Sequence, residues 1–227
     1  MREAFRAMKN DETALAIEHG IYSHPKFSEA SAAKLHITAD DATLSRQEEL
    51  IMGRLTNKLP GIAAFARAGR VFMNKLRFDM YLAMEESLTR NGVATPEERV
   101  QIAKFINEST GRGGLGRVGE PAAVTLGRVF FSPRYLASRL QMLFGHSMWG
   151  GSNRSRKLIA KEYGRIVIGM GMYYTALSWL LGDEDEPATV NLNPTSSDFG
   201  KVRRGNVRVD PLAGLSQVAT FMARTVT

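Results

Sequence analysis

The sequence predicts a mainly α fold, a multi-helix domain with one small β-hairpin near the C-terminus. Three observations carry this. Apolar residues recur at spacings of three and four through most of the chain, the pattern of a helix with one inward face. Helix start signals such as Thr95-Pro96-Glu97-Glu98 and Ser132-Pro133 punctuate those stretches. Lys201-Val202-Arg203 and Val207-Arg208-Val209 then alternate on either side of Gly205-Asn206, a turn pair suited to a tight hairpin.

The elements follow in order. Ala14, Ile17 and Ile21 mark a first helix ending near Gly20, before a turn at Ser23-His24-Pro25. Residues 43–58 have helical composition up to Pro60, and 63–88 give the longest periodic stretch, with Phe65, Phe72, Leu76 and Met80 on recurring turns, until Asn91-Gly92. Thr95 is a cap, Pro96 occupies the first helical position without losing a useful donor, and Glu97 and Glu98 face the positive end of the dipole; this helix runs to about Asn107. The next begins at Ser132-Pro133, carries Tyr135, Leu136, Leu140 and Leu143 on its apolar side, and stops at Gly145. A long helix covers 154–182, loops follow, the hairpin occupies 199–210, and a last helical pattern runs from Pro211 to Thr227. The expected organisation is an N-terminal helical segment, 1–58, and a helical domain, 59–227.

Composition narrows the function. At 227 residues, 44% hydrophobic and 23% charged, the chain is a folding sequence and not a disordered one. With no cysteine, disulfides, thiolate metal sites and cysteine nucleophiles are excluded. The net charge of +7 is concentrated: residues 1–111 hold 15 basic and 15 acidic side chains, 112–165 hold 10 and 2, and 166–227 hold 5 and 6. A local block of +8 implies a polyanionic neighbour, whether a phosphodiester backbone, anionic lipid head groups or an acidic protein face, and does not choose among them; DNA or an anionic membrane is the expected partner.

The motifs assemble no catalytic constellation. Gly111-Arg112-Gly113-Gly114-Leu115-Gly116 has the spacing of a dinucleotide loop but lacks the preceding strand, so it reads as a flexible turn. Gly145-His146-Ser147-Met148-Trp149 lacks the second glycine and the strand of a nucleophile elbow. His19, His24, His36 and His146 have no metal spacing and read as surface or capping residues, and Asp183-Glu184-Asp185-Glu186 as a solvated run. No enzymatic activity, metal or cofactor is expected.

The 154–182 helix stands apart. At about 100° per residue, Arg154, Lys157, Lys161 and Arg165 fall within about 80° and share one face. With Arg112, Arg117, Arg134 and Arg139 they are the candidate polyanion-binding residues, although Arg134 and Arg139 project about 140° apart on their own helix. After Arg165 come 17 residues without a charge, 166–182, which as a helix would span about 26 Å, slightly short of the roughly 30 Å hydrocarbon core. The segment is either a core helix buried on all sides or a membrane-inserting one, with cations before it and Asp183 to Glu186 after it. A helix so apolar needs covering by other helices or other subunits, which predicts a homo-oligomer.

These residues also carry a resemblance. Ile106-Asn107-x-x-Thr110-Gly111-Arg112-Gly113, Val129-Phe130-Phe131-Ser132-Pro133-Arg134-Tyr135-x-x-Ser138-Arg139, Ile159-Ala160-Lys161-Glu162-Tyr163, Ser197-Asp198-Phe199-Gly200-Lys201, Gly205-Asn206 and Asp210-Pro211-x-x-Gly214 occur in this order over residues 59–227. Together they resemble the conserved helical region of the large polyvalent proteins of tailed bacteriophages and prophages. The resemblance implies a non-enzymatic structural protein, packaged in the virion beside other virion proteins and delivered with the genome to the host cytoplasm or inner membrane. This chain is far shorter than those proteins, so a fragment, a processed piece or a minimal relative is expected. The alternative is a soluble nucleic-acid-binding module of a phage or prophage whose apolar helix is its core.

Overall fold

The structure, a computed structural model, describes residues 11–38, 60–90, 92–116, 133–183, 186–193 and 196–211. Among these are six α-helices: α1 (Asp11–Tyr22), α2 (Phe27–Ala32), α3 (Pro60–Thr89), α4 (Pro96–Ser109), α5 (Pro133–Leu143) and α6 (Asn153–Leu181). A short 3-10 turn, His146–Met148, follows α5. Strands β1 (Thr189–Val190), β2 (Val202–Arg204) and β3 (Val207–Val209) form one antiparallel sheet in that order. The protein is thus mainly helical with a small sheet near the C-terminus. The helices expected over 43–58 and after Pro211 lie outside the described residues, as does Arg117. The chain divides into two compact units, Met1–Ala160 and Lys161–Thr227.

In the first unit, α3 packs against α1 and α4, and α4 also meets α2, α5 and the 3-10 turn. Ile102, Ala103, Phe105 and Ile106 of α4 are fully buried, and each large apolar side chain so placed contributes about 1.5–3 kcal/mol. The start of α4 is as the sequence predicts: the Glu98 amide donates to Thr95 Oγ1 at 3.3 Å and the Thr95 amide to Glu98 Oε2 at 3.0 Å, a complete capping box. Gly145 ends the α5 region with a left-handed φ of 61°.

The inward face of α3 differs from expectation. Phe65 and Phe72 are exposed, whereas Val71, Asn74, Arg77, Phe78, Tyr81, Glu85 and Leu88 are buried. Three of these are polar, and each has partners from far along the chain. Asn74 exchanges two 2.9 Å hydrogen bonds with the Thr38 backbone, the Arg77 guanidinium donates to Thr110 Oγ1 at 2.8 Å, and Glu85 pairs with Lys26 and Arg99. Polar groups satisfied in this way can occupy a core that apolar counting assigns elsewhere.

The Gly111–Gly116 segment is a packing junction and not a free turn up to Gly114. The Gly113 amide donates to the Arg134 carbonyl at 3.2 Å and Gln141 Nε2 to the Gly114 carbonyl at 2.7 Å. A Cβ on Gly113 would sit 2.7 Å from Ser138 Cα, so α5 approaches the backbone directly. This reverses the expected face of α5: Ser138 is fully buried, while Tyr135, Leu136 and Leu143 are exposed.

In the second unit, Val202 is fully buried and pairs with both Val190 and Val209, and β2 and β3 meet at a two-residue turn in which Gly205 takes φ 52°. The sheet holds the end of α6: the Tyr174 hydroxyl donates to the Gly200 carbonyl at 2.5 Å and Arg204 Nη1 to the Leu181 carbonyl at 2.7 Å. Arg204 also pairs with Asp183 and Glu186, so the acidic run is partly neutralised by the hairpin.

Candidate functional site

Helix α6 forms because Ser152 caps it, the Ser155 amide donating to Ser152 Oγ at 3.1 Å, and because no proline interrupts the next 29 residues. In the first unit its opening turn is clamped. Ser152 Oγ donates to Glu98 Oε1 at 2.5 Å, and Arg154 donates to the Leu88 carbonyl at 2.9 Å and lies 3.4 Å from Glu98 Oε2. Burial alone would raise the Glu98 pKa, but the Ser152 hydroxyl, the Thr95 amide and Arg154 together hold it below the usual carboxylate range. Arg154 is therefore a structural clasp, not a member of an open stripe.

The other predicted cations have varied surroundings. Arg139 lies 4.6 Å over the Tyr135 ring and donates to its hydroxyl, which ties it to its own helix. Arg112 and Arg134 are half-buried near His36. Lys157 and Lys161 are exposed and have no ion-pair partner among the described residues. Arg165, also exposed, makes a surface pair with Glu162 at 2.6 Å, worth little in water.

The uncharged part of α6 belongs to the second unit. The uncharged part of α6 is not a core helix. Met170, Tyr174, Leu177, Ser178 and Leu181 are half-buried, but Ile168, Met172, Trp179 and Leu180 are 65%, 69%, 84% and 74% exposed. At about 100° per residue, Ile168, Met172, Ala176, Trp179 and Leu180 fall within an arc of about 120°, and Lys161 and Arg165 project into the same arc one to two turns earlier. Within this unit one helix face therefore passes from two cations to an apolar strip of at least four large side chains. Such a strip on a protein surface marks an interaction site. Among the described residues no helix is long and apolar enough to cross a membrane, so α6 as a full span is also set aside.

Two histidines depart from the surface or capping role expected of them. His36 is enclosed: burial, and then Arg112, Arg77 and Arg134, push its pKa down to about 3. Arg77 itself is lowered to about 10 by burial and then by Arg112. His146 Nδ1 lies 2.6 Å from Glu108 Oε1. Neither arrangement is legible in local spacing, because Glu108 and His146 are 38 residues apart and the groups around His36 come from three separate segments. His24 Nδ1 accepts from the Lys26 amide at 3.1 Å in the turn ahead of α2, whose own N-cap position, Lys26, makes no side-chain capping bond.

Comparison of this chain with protein-family models, with curated proteins and with solved structures gives no match.

Proposed function

We propose that this protein is a non-enzymatic, virion-internal phage component, delivered with the genome, that engages an anionic membrane face through α6. The observation that carries the reading is the exposure of Ile168, Met172, Trp179 and Leu180 on the face that bears Lys161 and Arg165. A helix of this kind suits the interface between head groups and acyl chains: the apolar strip enters by about 5–10 Å while the cations stay with lipid phosphates. The phage setting rests on the ordered motifs from Ile106 to Gly214 that resemble the polyvalent-protein region. Other virion proteins, or a second copy of the chain, cover the same strip before delivery.

The exposed strip favours this over a soluble nucleic-acid-binding module, which has the apolar helix as its core. Flotation tests the choice. The chain floats with vesicles containing phosphatidylglycerol and stays behind with pure phosphatidylcholine. Each cation near an anionic surface contributes about 1 kcal/mol, so Lys161→Gln with Arg165→Gln weakens vesicle binding by roughly 30-fold. Tight DNA binding that weakens in the same double variant, with no flotation, would overturn the proposal in favour of nucleic acid.

A further inference from the structure

Within the second unit the outer face of α6 carries a further pattern. Lys161, Arg165, Ile168, Met172, Thr175 and Trp179 recur at alternating spacings of four and three, the seam of a coiled coil, and all six are exposed. At about 100° per residue they fall within about 80° of one another. The half-buried Met170, Tyr174, Leu177 and Leu181 project to the opposite side. The Thr175 hydroxyl donates to the Gly171 carbonyl at 3.0 Å, so it is satisfied inside the helix and leaves the seam its methyl group.

The positions that flank the seam are small: Gly164, Gly169, Gly171, Ala176 and Ser178. Glycine weakens a helix interior, so three of them in one helix call for a reason. A Cβ on Gly164, Gly169 or Gly171 would meet nothing within 4 Å among the described residues, so packing inside this chain does not supply that reason. Small flanks beside an apolar seam let a second helix backbone come close, whereas lipid tails set no such requirement.

Charge gives the partner and its direction. At the start of the seam stand Lys161 and Arg165, with Glu162 paired to Arg165; after its end stand Asp183 and Glu186, both paired to Arg204. These named groups leave +1 at one end and −1 at the other. Turned end for end, two copies of the seam match: Ile168 comes level with Trp179, Met172 with Thr175, Lys161 with Glu186 and Arg165 with Asp183, because these pairs are symmetric about residues 173–174. A parallel pair would instead set like charge against like.

We propose that two copies of this chain pair through α6 as an antiparallel coiled coil. The pairing rests on the reading of this face as an interaction site, and it names what covers the strip before lipid does. The seam is only about 30 Å long, which puts the interface at the small end of specific ones, so the dimer is weak, with Kd on the order of 10 μM. Vesicles compete with it for the same side chains.

Sedimentation equilibrium of the full chain over about 1–100 μM, without lipid or detergent, shows a monomer–dimer equilibrium. Gly169→Leu with Gly171→Leu puts bulk on both flanks where nothing in the chain is met, and it weakens the dimer by roughly 10-fold or more. Flotation with phosphatidylglycerol vesicles survives in that variant, because only apolar surface is added to a helix made easier to form. Lys161→Glu with Arg165→Glu, both at exposed positions, sets acidic groups against acidic groups at both ends and weakens the dimer by roughly 10-fold or more, whereas a parallel pair would be unchanged. Dimerisation without flotation supports the pairing and removes the membrane reading. Flotation of a chain that stays monomeric up to about 100 μM keeps the membrane reading and overturns the pairing. Undiminished self-association in either double variant overturns it as well.

Discussion

Replacing Trp179 by alanine separates surface function from fold more sharply than any other change in α6. Its side chain is 84% exposed, so truncation removes little packing and the free protein loses no more than about 0.5 kcal/mol. On a membrane the balance is different. A tryptophan buries roughly 150–250 Å² when covered, and if about 100 Å² of the indole enters the interface, 25 cal/mol per Å² gives about 2.5 kcal/mol. That corresponds to a loss of roughly 60-fold in vesicle affinity. The assay pairs urea unfolding with titration of vesicles containing phosphatidylglycerol, and Phe105→Ala serves as the opposite case: fully buried, it costs about 3–5 kcal/mol of stability. A Trp179→Ala protein that binds vesicles as wild type, or that unfolds as readily as Phe105→Ala, would refute the reasoning, because the indole would then be outside the lipid contact or inside a core.

Arg154→Gln removes the clasp between α6, Glu98 and the Leu88 carbonyl and leaves a buried carboxylate without its cation, so the unfolding free energy measured in urea falls by about 3 kcal/mol, whereas Lys157→Gln changes it by no more than about 0.5 kcal/mol. Gly113→Val forces a side chain into the Ser138 backbone and destabilises by about 3 kcal/mol or more in thermal melts. His36 gives a pH signature. Its folded pKa, about 3, lies below the ordinary 6.5, so the unfolded chain binds the extra proton and stability falls as pH drops from about 6.5 towards 3, by at most about 1.4 kcal/mol per unit. Urea titrations across that range show a shallower fall in His36→Asn; identical pH slopes would refute the assignment.

Those contrasts divide what was legible in the sequence from what was not. The amino-acid order alone determined the start of α4, the stop at Gly145, the turn at Gly205 and the extent of α6, because a capping bond, a proline φ or a left-handed glycine acts within about four residues and needs no distant partner. Which face of α3 points inward was decided by tertiary structure. Phe65 and Phe72 satisfy apolar spacing as well as Val71 and Phe78 do, yet Asn74, Arg77 and Glu85 select the buried side because Thr38, Thr110, Lys26 and Arg99 meet them there. The candidate site divides in the same way. Four cations on one helical face were visible from spacing, but only packing showed that Arg154 is turned to Glu98 while Lys161 faces solvent. An uncharged run of 17 residues reads alike in a core and on a surface, since hydrophobicity specifies burial without naming what does the covering. In this protein hydrogen bonds from Tyr174 to the Gly200 carbonyl and from Arg204 to the Leu181 carbonyl join α6 to the hairpin segment, and the side bearing Ile168, Met172 and Trp179 is left outward.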